Sequence, residues 1–578
     1  MKKVLHAFPL ERVDFPWPGF LVTFMLLFFL GGQNLWAQKY YTWIGGTSSV
    51  WELDANWSST PPGGYPSTSA DGAYISSGTY YPICSSTSIT CGDLIIDAGG
   101  QFDITTTGNV TCVNLNIYAG GQLNVTTSGT VACTYLLIDD GASVIENGQL
   151  TYSDHADIKL AINSTEYSPP PSPPNAIARW HLFITPLVNP VQATASSTFY
   201  FAFVDRWDEP TTLWARLQTD DYVNPGYGHE IQFYDYVTHV LTFTATPTNQ
   251  MQSGDQQYTL SKVGATGSFG PGWNLIGNKF PCSIDLSTAW TYTSGEIGAA
   301  VYVWNADNAN YISYSLLSSN LIAPMQGFWI WAHVNGANLT IPETSKAHGG
   351  TFLKNQMTVS NNLLLKVEGN GHWDQTQIRF NPLATPGFDL EYDAFKLAGF
   401  PAVPQIFSLL PDESASINTL PSIEDNPEVP LGFTVGADTT YSITTSGIES
   451  FDLSVPLRLD DLKTGYSHDL RLGPYTFSAA PGDAVHRFNL RFKSGVGIGE
   501  KKNNAVTIYS SANYVYVNNP LNLTGTTQVY DLTGRLLVES PLTGNLLNRY
   551  AVEATTSCLI VKVITENGIA TGKIFVNL

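Results

Sequence analysis

Four of the six cysteines, Cys84, Cys91, Cys112 and Cys133, crowd into one early stretch, and the last three recur at a constant spacing of 21 residues. Thiolates ligate metals and form disulfides, so this column is the first place to look for chemistry. It lacks the paired C-x-x-C spacing of a zinc site. In an exported chain it reads as one or two disulfides, or as a ladder of buried free thiols, and spacing alone gives no connectivity. The carboxylate pairs Asp139-Asp140, Asp220-Asp221 and Asp460-Asp461 are sequence neighbours. Neighbours on a strand point to opposite faces, a poor arrangement for shared acid/base work, so solvated turns are expected there. Asp307-Asn308-Ala309-Asn310 offers oxygen ligands without the Gly and distal Glu of a calcium hand, and reads as Asx-turn chemistry. Any calcium held by the acidic surface would be weakly bound.

His229-Glu230 has no second His in register, and neither a Gly-x-Ser-x-Gly elbow nor a Gly-x-x-x-x-Gly-Lys-Ser/Thr loop is present. Gly495-Val496-Gly497-Ile498-Gly499 does not follow a βαβ pattern, so it reads as linker. His181, His333 and His372 stand singly, as packed or exposed side chains rather than metal ligands. Accordingly no residue is assigned as catalytic, cofactor-binding or metal-ligating. The chain is expected to need no cofactor and not to be an enzyme, although glycan-active residues scattered along it would leave no local motif.

Charged residues are only 13%, while Gly, aromatics and hydroxylated residues are plentiful, a composition of strands and turns. Across 578 residues several cores are required, and an all-β protein is expected: a short parallel β-solenoid, two β-sandwich-type modules and a C-terminal immunoglobulin-like sandwich. The 27 basic against 48 acidic residues give a net charge of −21, which argues against nucleic acid as a partner. Residues 1–37 read as a secretory signal, with Lys2, Lys3 and Arg12 before an apolar run and Ala37 at the cleavage point. That run is too short to span a membrane comfortably, and no transmembrane segment is expected in the mature chain.

The solenoid, residues 40–167, is read from a repeat. Cys91-Gly-Asp-Leu-Ile-Ile-Asp-Ala-Gly-Gly100 aligns with Cys112-Val-Asn-Leu-Asn-Ile-Tyr-Ala-Gly-Gly121 and with Cys133-Thr-Tyr-Leu-Leu-Ile-Asp-Asp-Gly141. Alternation turns Leu94, Ile96, Phe102 and Ile104 inward, over Leu115, Ile117, Leu123 and Val125, about 4.8 Å apart per coil. Glu146 takes the inward place of Ile104 and Val125 in the last copy, as a polar terminal cap, and Trp43, Trp51 and Trp57 form the opposite cap.

The Pro-rich 168–175 is a stiff spacer, followed by an aromatic-rich β module at 176–345 and a β-sandwich module at 346–493. The Trp and Tyr of 176–345 could stack on sugars, but core packing is the reading preferred for any one of them. A flexible linker at 494–504 leads to the last segment, 505–578.

That segment shows a Tyr/Val strand pair, Val506-Thr-Ile-Tyr509 and Tyr514-Val-Tyr-Val517. A Val529-Tyr-Asp-Leu-Thr-Gly-Arg535 hairpin, a Val561-Lys-Val563 strand and a terminal Lys573-Ile-Phe-Val576 strand follow. The order resembles the type A sorting domain of the type IX secretion system, with Ser557-Cys558-Leu559 where that family has Gly-x-Tyr. The two middle modules also resemble modules of type IX cargo proteins. The resemblance implies a Gram-negative cell-surface or secreted protein, exported by Sec and then handled by the type IX machinery through this segment. Its expected role is non-catalytic adhesion or surface architecture, with a glycan-binding or glycan-cleaving surface protein as the alternative and surface glycans or other cell-surface components as its partners.

Overall fold

The structure is a computed structural model. It describes residues 38–576 apart from 86, 165–178, 193–198, 200–201, 219, 234, 236, 264–269, 317, 350–360, 494–505, 512–513, 553–556 and 566–567. The expected signal, Pro-rich spacer and Gly-rich linker lie outside the described residues.

The chain is all-β and opens with a parallel β-solenoid of about 4 turns. One sheet stacks Lys39–Trp43, Asp71–Ile75, Asp93–Ile96, Asn114–Ile117, Thr130–Ile138 and Gln149–Asn163, and the facing sheet stacks Ile83–Ser85, Gln101–Thr105, Gln122–Val125 and Ser143–Glu146. The repeat of 21 becomes register: Leu94 lies beside Leu115 and Leu115 beside Leu136. Ala73 and Ala156 extend this column, and all five side chains are fully buried. Gly99, Gly120 and Gly141 turn one corner of successive coils with φ of 74°, 82° and 78°, a left-handed conformation that side chains resist.

The tryptophans cap one end as expected. Trp51 stacks on Phe102 at 5.2 Å, Trp57 meets the edges of Trp43 and Trp51, and the indole N–H of Trp57 donates to Trp51 O. The other end departs from expectation. Glu146 does stand beside Val125, but it is not a solvated cap. Val144 N–H donates to Pro281 O at 2.9 Å, Ser143 Oγ meets His348 Nδ1 at 2.8 Å, and the buried Lys346 ammonium binds Glu146 O. An open strand edge needs a partner, and here the following module supplies it.

The expected break at 168–175 is not a break in the core. Gln149–Asn163 pairs antiparallel with Thr238–Ala245 along eight residues, from Ala156↔Ala245 to Asn163↔Thr238. One hydrophobic cluster runs from the solenoid column into Phe183, Phe199, Ile231 and Phe243. Residues 181–233 contain a four-stranded antiparallel sheet, and 256–347 form three small antiparallel sheets of three, four and three strands around Phe280, Val301, Phe328 and Ile330. Residues 362–491 form one 11-stranded sheet wrapped about Leu365, Tyr441, Phe477 and Phe488.

The C-terminal residues make two sheets. One contains Thr507–Ser511, Tyr514–Asn518 and Leu547–Ala551, and the other contains Leu536–Leu542, Gly525–Asp531, Ser557–Thr565 and Gly568–Val576. Their core, built on Val515, Val517, Val529, Val561 and Val563, contains residues of this segment alone. The strand Leu547–Ala551 has a weak local signal, because one of its two inward positions is Asn548, whose Oδ1 accepts the Thr543 N–H, while Tyr550 fills the other. Among the described residues no helix is long and apolar enough to cross a membrane.

Candidate functional site

The cysteine column forms, as a ladder of thiols. Cys84, Cys91, Cys112 and Cys133 are buried and free. The hydrogen bond between Cys133 and Cys112, together with burial, pushes the Cys133 thiol well above its usual range, which keeps it protonated and unreactive.

The carboxylate pairs separate. Asp139 reaches Lys159 at 3.3 Å, Asp140 accepts the Ala161 N–H at 2.9 Å, and Asp221 accepts the Gln218 N–H within its turn. Asp460-Asp461 is not a solvated turn. It ends the strand Arg458–Asp461, with Asp460 bound to Arg491 on one face and Asp461 fully buried against Arg487 on the other. The Asx loop likewise serves packing. Asn308 Oδ1 accepts the Trp373 N–H, and Asn310 Nδ2 donates to Asp374, itself buried against Lys396. His181 and His372 face backbone carbonyls of Asn163 and Asn308.

The tryptophans of 176–345 are core. Trp207, Trp273, Trp304 and Trp329 are buried in one cluster with Ala394 and Ile417 from the next module. Exposed rings include Phe203 and Tyr222 in this module and a group on the outward face of the solenoid. Tyr40 and Tyr118 are 41% and 36% exposed, and the hydroxyls of Tyr40, Tyr74 and Tyr135 donate to Asp93, Asp97 and Asp157. Partial burial, reinforced by those carboxylates, pushes the three phenols up to about 12. At neutral pH they are fixed rings with donor hydroxyls. Alternation already placed Tyr74, Tyr118 and Tyr135 outward in the repeat, which is the signal that would have found them.

A carboxylate pair absent from sequence adjacency arises by strand pairing. Asp205 lies directly opposite Glu230, and Asp205 is held by Arg216 Nε at 2.6 Å. Burial first, then the Asp205 charge, raises Glu230 to about 8, so it is largely protonated at neutrality.

At the solenoid's covered end, Glu146, Tyr152, Gln250, Pro281 and Lys346 line a pocket of ≈460 Å³. Burial lifts Glu146 to about 7, opposed by the Lys346 charge and reinforced by Glu343. A carboxyl raised in the folded state loses its advantage as pH climbs, because the unfolded chain ionises first. Stability is therefore expected to fall between about pH 4.5 and pH 7 and then to level off, by at most roughly 3 kcal/mol for this group. Glu146→Gln should melt like the parent at pH 4.5 and higher than it at pH 8. Parallel melting curves of the two proteins across that range would contradict the assignment.

The Asp531-Leu-Thr-Gly534 turn closes as its residues demand. Asp531 Oδ1 accepts the N–H groups of Thr533 and Arg535, Arg535 Nε donates to Oδ2 at 3.0 Å, and Gly534 takes φ of 85°. The Thr533 hydroxyl and these donors hold the Asp531 carboxyl down at about 2.

A family model described as a domain of unknown function (DUF8693) matches residues 42–321 and 313–492, and another described as a domain of unknown function (DUF8694) matches 495–576. No curated protein matches the chain.

Proposed function

The chain belongs to the DUF8693 family and carries its last segment as a separately matched unit; from this premise we propose that it is a non-catalytic, multi-domain β-protein exported to the cell surface or medium of a Gram-negative bacterium. Sec and then the type IX system carry it, and its role is adhesion or surface architecture. The observation that carries the reading is the C-terminal unit. It has a core of its own, and its Asp531 hairpin, Tyr/Val strand pair and Val561-Lys562-Val563 strand resemble a type A sorting domain. A detachable element of this kind suits an address that machinery must grip without unfolding the cargo.

Deleting residues 505–578 is expected to leave a protein that folds yet accumulates in the periplasm, and grafting them onto a periplasmic reporter in a type IX-competent cell should carry the reporter out. Cell fractionation reads both. Surface delivery of the truncated chain, or retention of the reporter, would make this unit an ordinary structural module. Glycan binding is the second reading, favoured by the ring-lined outer face of the solenoid.

A further inference from the structure

The long solenoid sheet presents an ordered outward row along the coil axis. Tyr40 stands beside Gly72 on the neighbouring strand, and further along the axis Asp93, Asn114, Tyr135 and His155 stand each beside the next. Successive members are one strand spacing apart, about 4.8 Å.

Gly72 is required by this arrangement. A Cβ there would sit 2.5 Å from Cδ1 and Cε1 of Tyr40, so the ring leans across the backbone at this point, and its hydroxyl reaches Asp93 at 2.6 Å. Asn114 Nδ2 donates to the other oxygen of Asp93 at 2.7 Å. Tyr135 packs edge-on against His155 at 4.8 Å and donates to Asp157, whose second oxygen accepts the Thr244 hydroxyl at 2.7 Å. Tyr40 is exposed yet held by these contacts, so little of its side-chain entropy remains to be lost on binding, and Tyr118, exposed on the same face four residues beyond Asn114, lies near enough to bear electrostatically on Tyr40 and Tyr135.

We propose that this face binds an uncharged polysaccharide laid along the solenoid axis, with Tyr40 and Tyr118 as stacking platforms and Asp93 and Asn114 as hydroxyl-binding groups. The inference rests on the glycan-binding reading and is independent of export. Sugar rings combine apolar C–H faces with a belt of hydroxyls, and this face, the row with Tyr118 beside it, supplies both complements: planar rings, and carboxylates that retain acceptor sites beyond their present bonds. Charge narrows the ligand. Asp93, Asp97, Asp139 and Asp157 face outward with Lys159 as the nearby base, a field that repels uronate or sulfated chains and nucleic acids.

The test is affinity electrophoresis of the whole mature chain through gels containing hydroxyethyl cellulose, mannan or polygalacturonate, for the parent protein and for a Tyr40→Ala/Tyr118→Ala double variant. Retardation by at least one neutral polymer is expected, with none by polygalacturonate. The double variant should bind about tenfold more weakly, from two lost ring contacts. Thermal melting checks that it is folded, and Leu383→Ala, at an exposed position far along the chain, should bind like the parent. Three outcomes would overturn the proposal: no retardation by either neutral polymer, equal retardation by polygalacturonate, or undiminished binding by a folded double variant. Each leaves the export reading untouched, since export is read by fractionation in cells.

Discussion

Leu115→Asp is expected to abolish folding of the solenoid, seen as loss of its melting transition and of much of the far-UV β signal at pH 7. Leu115 is fully buried, with Leu94 on one side and Leu136 on the other. Losing its burial costs about 2–3 kcal/mol, and an unpaired carboxylate between coils costs several more. Against a typical total of about 5–15 kcal/mol, the module does not survive. Because the same cluster continues into Phe183, Phe233 and Phe243, the sheet over 181–233 should melt with it. Asn116→Asp, one residue on and facing outward, serves as the control and should shift stability by no more than about 0.5 kcal/mol. An unchanged transition in Leu115→Asp would refute the stacked column.

Arg487→Leu carries the second large effect, an expected loss of about 3–5 kcal/mol in the module spanning 362–491. Arg487 Nε and Nη2 donate to the two oxygens of Asp461 at 2.7 and 2.8 Å, with Tyr475 Oη and the Lys463 N–H completing the shell. Burial alone would push the Asp461 carboxyl up, yet these four donors bring it below its usual range. In the parent, stability from this group is present above the unfolded carboxylate pKa and is lost as pH falls through the lower folded value. Removing the guanidinium strands a buried carboxylate, so the variant should be least stable near neutrality and recover partly on acidification. The double change Asp461→Leu/Arg487→Leu should regain much of the loss, because an apolar pair need not be desolvated at a cost. Urea titrations of the three proteins at pH 5 and pH 7.5 measure this. A single variant as stable as the parent at pH 7.5 would show that the pair is not the clasp of this sheet.

Local rules were enough wherever one residue's surroundings are set by its near neighbours in sequence. A fixed repeat with alternating Leu, Ile and Val must stack, so the solenoid, its inward column and its glycine corners are legible in the sequence. The same holds for the Asp531 turn, where Asp and Gly close a loop four residues long. The alternation that sets Leu94, Leu115 and Leu136 inward also sets Tyr118 and Tyr135 outward, whereas the tryptophans of 176–345 carry no such period and their burial follows from packing.

Tertiary structure decided everything that depends on which strand lies beside which. Asp461 is adjacent to Asp460 in sequence but is buried because Arg487 arrives from a strand far along the chain. Asp205 and Glu230 become a pair only through antiparallel register. Glu146 looked like a solvated cap because nothing near it in sequence reveals that Pro281 and Lys346 close the solenoid's end. The Pro-rich spacer marked a change of chain composition, but strand Thr238–Ala245 returns to the solenoid sheet and carries the core past it. A side chain's orientation follows from a period of two along its own strand; its partners, and hence its burial and charge, follow from long-range pairing that leaves no local trace.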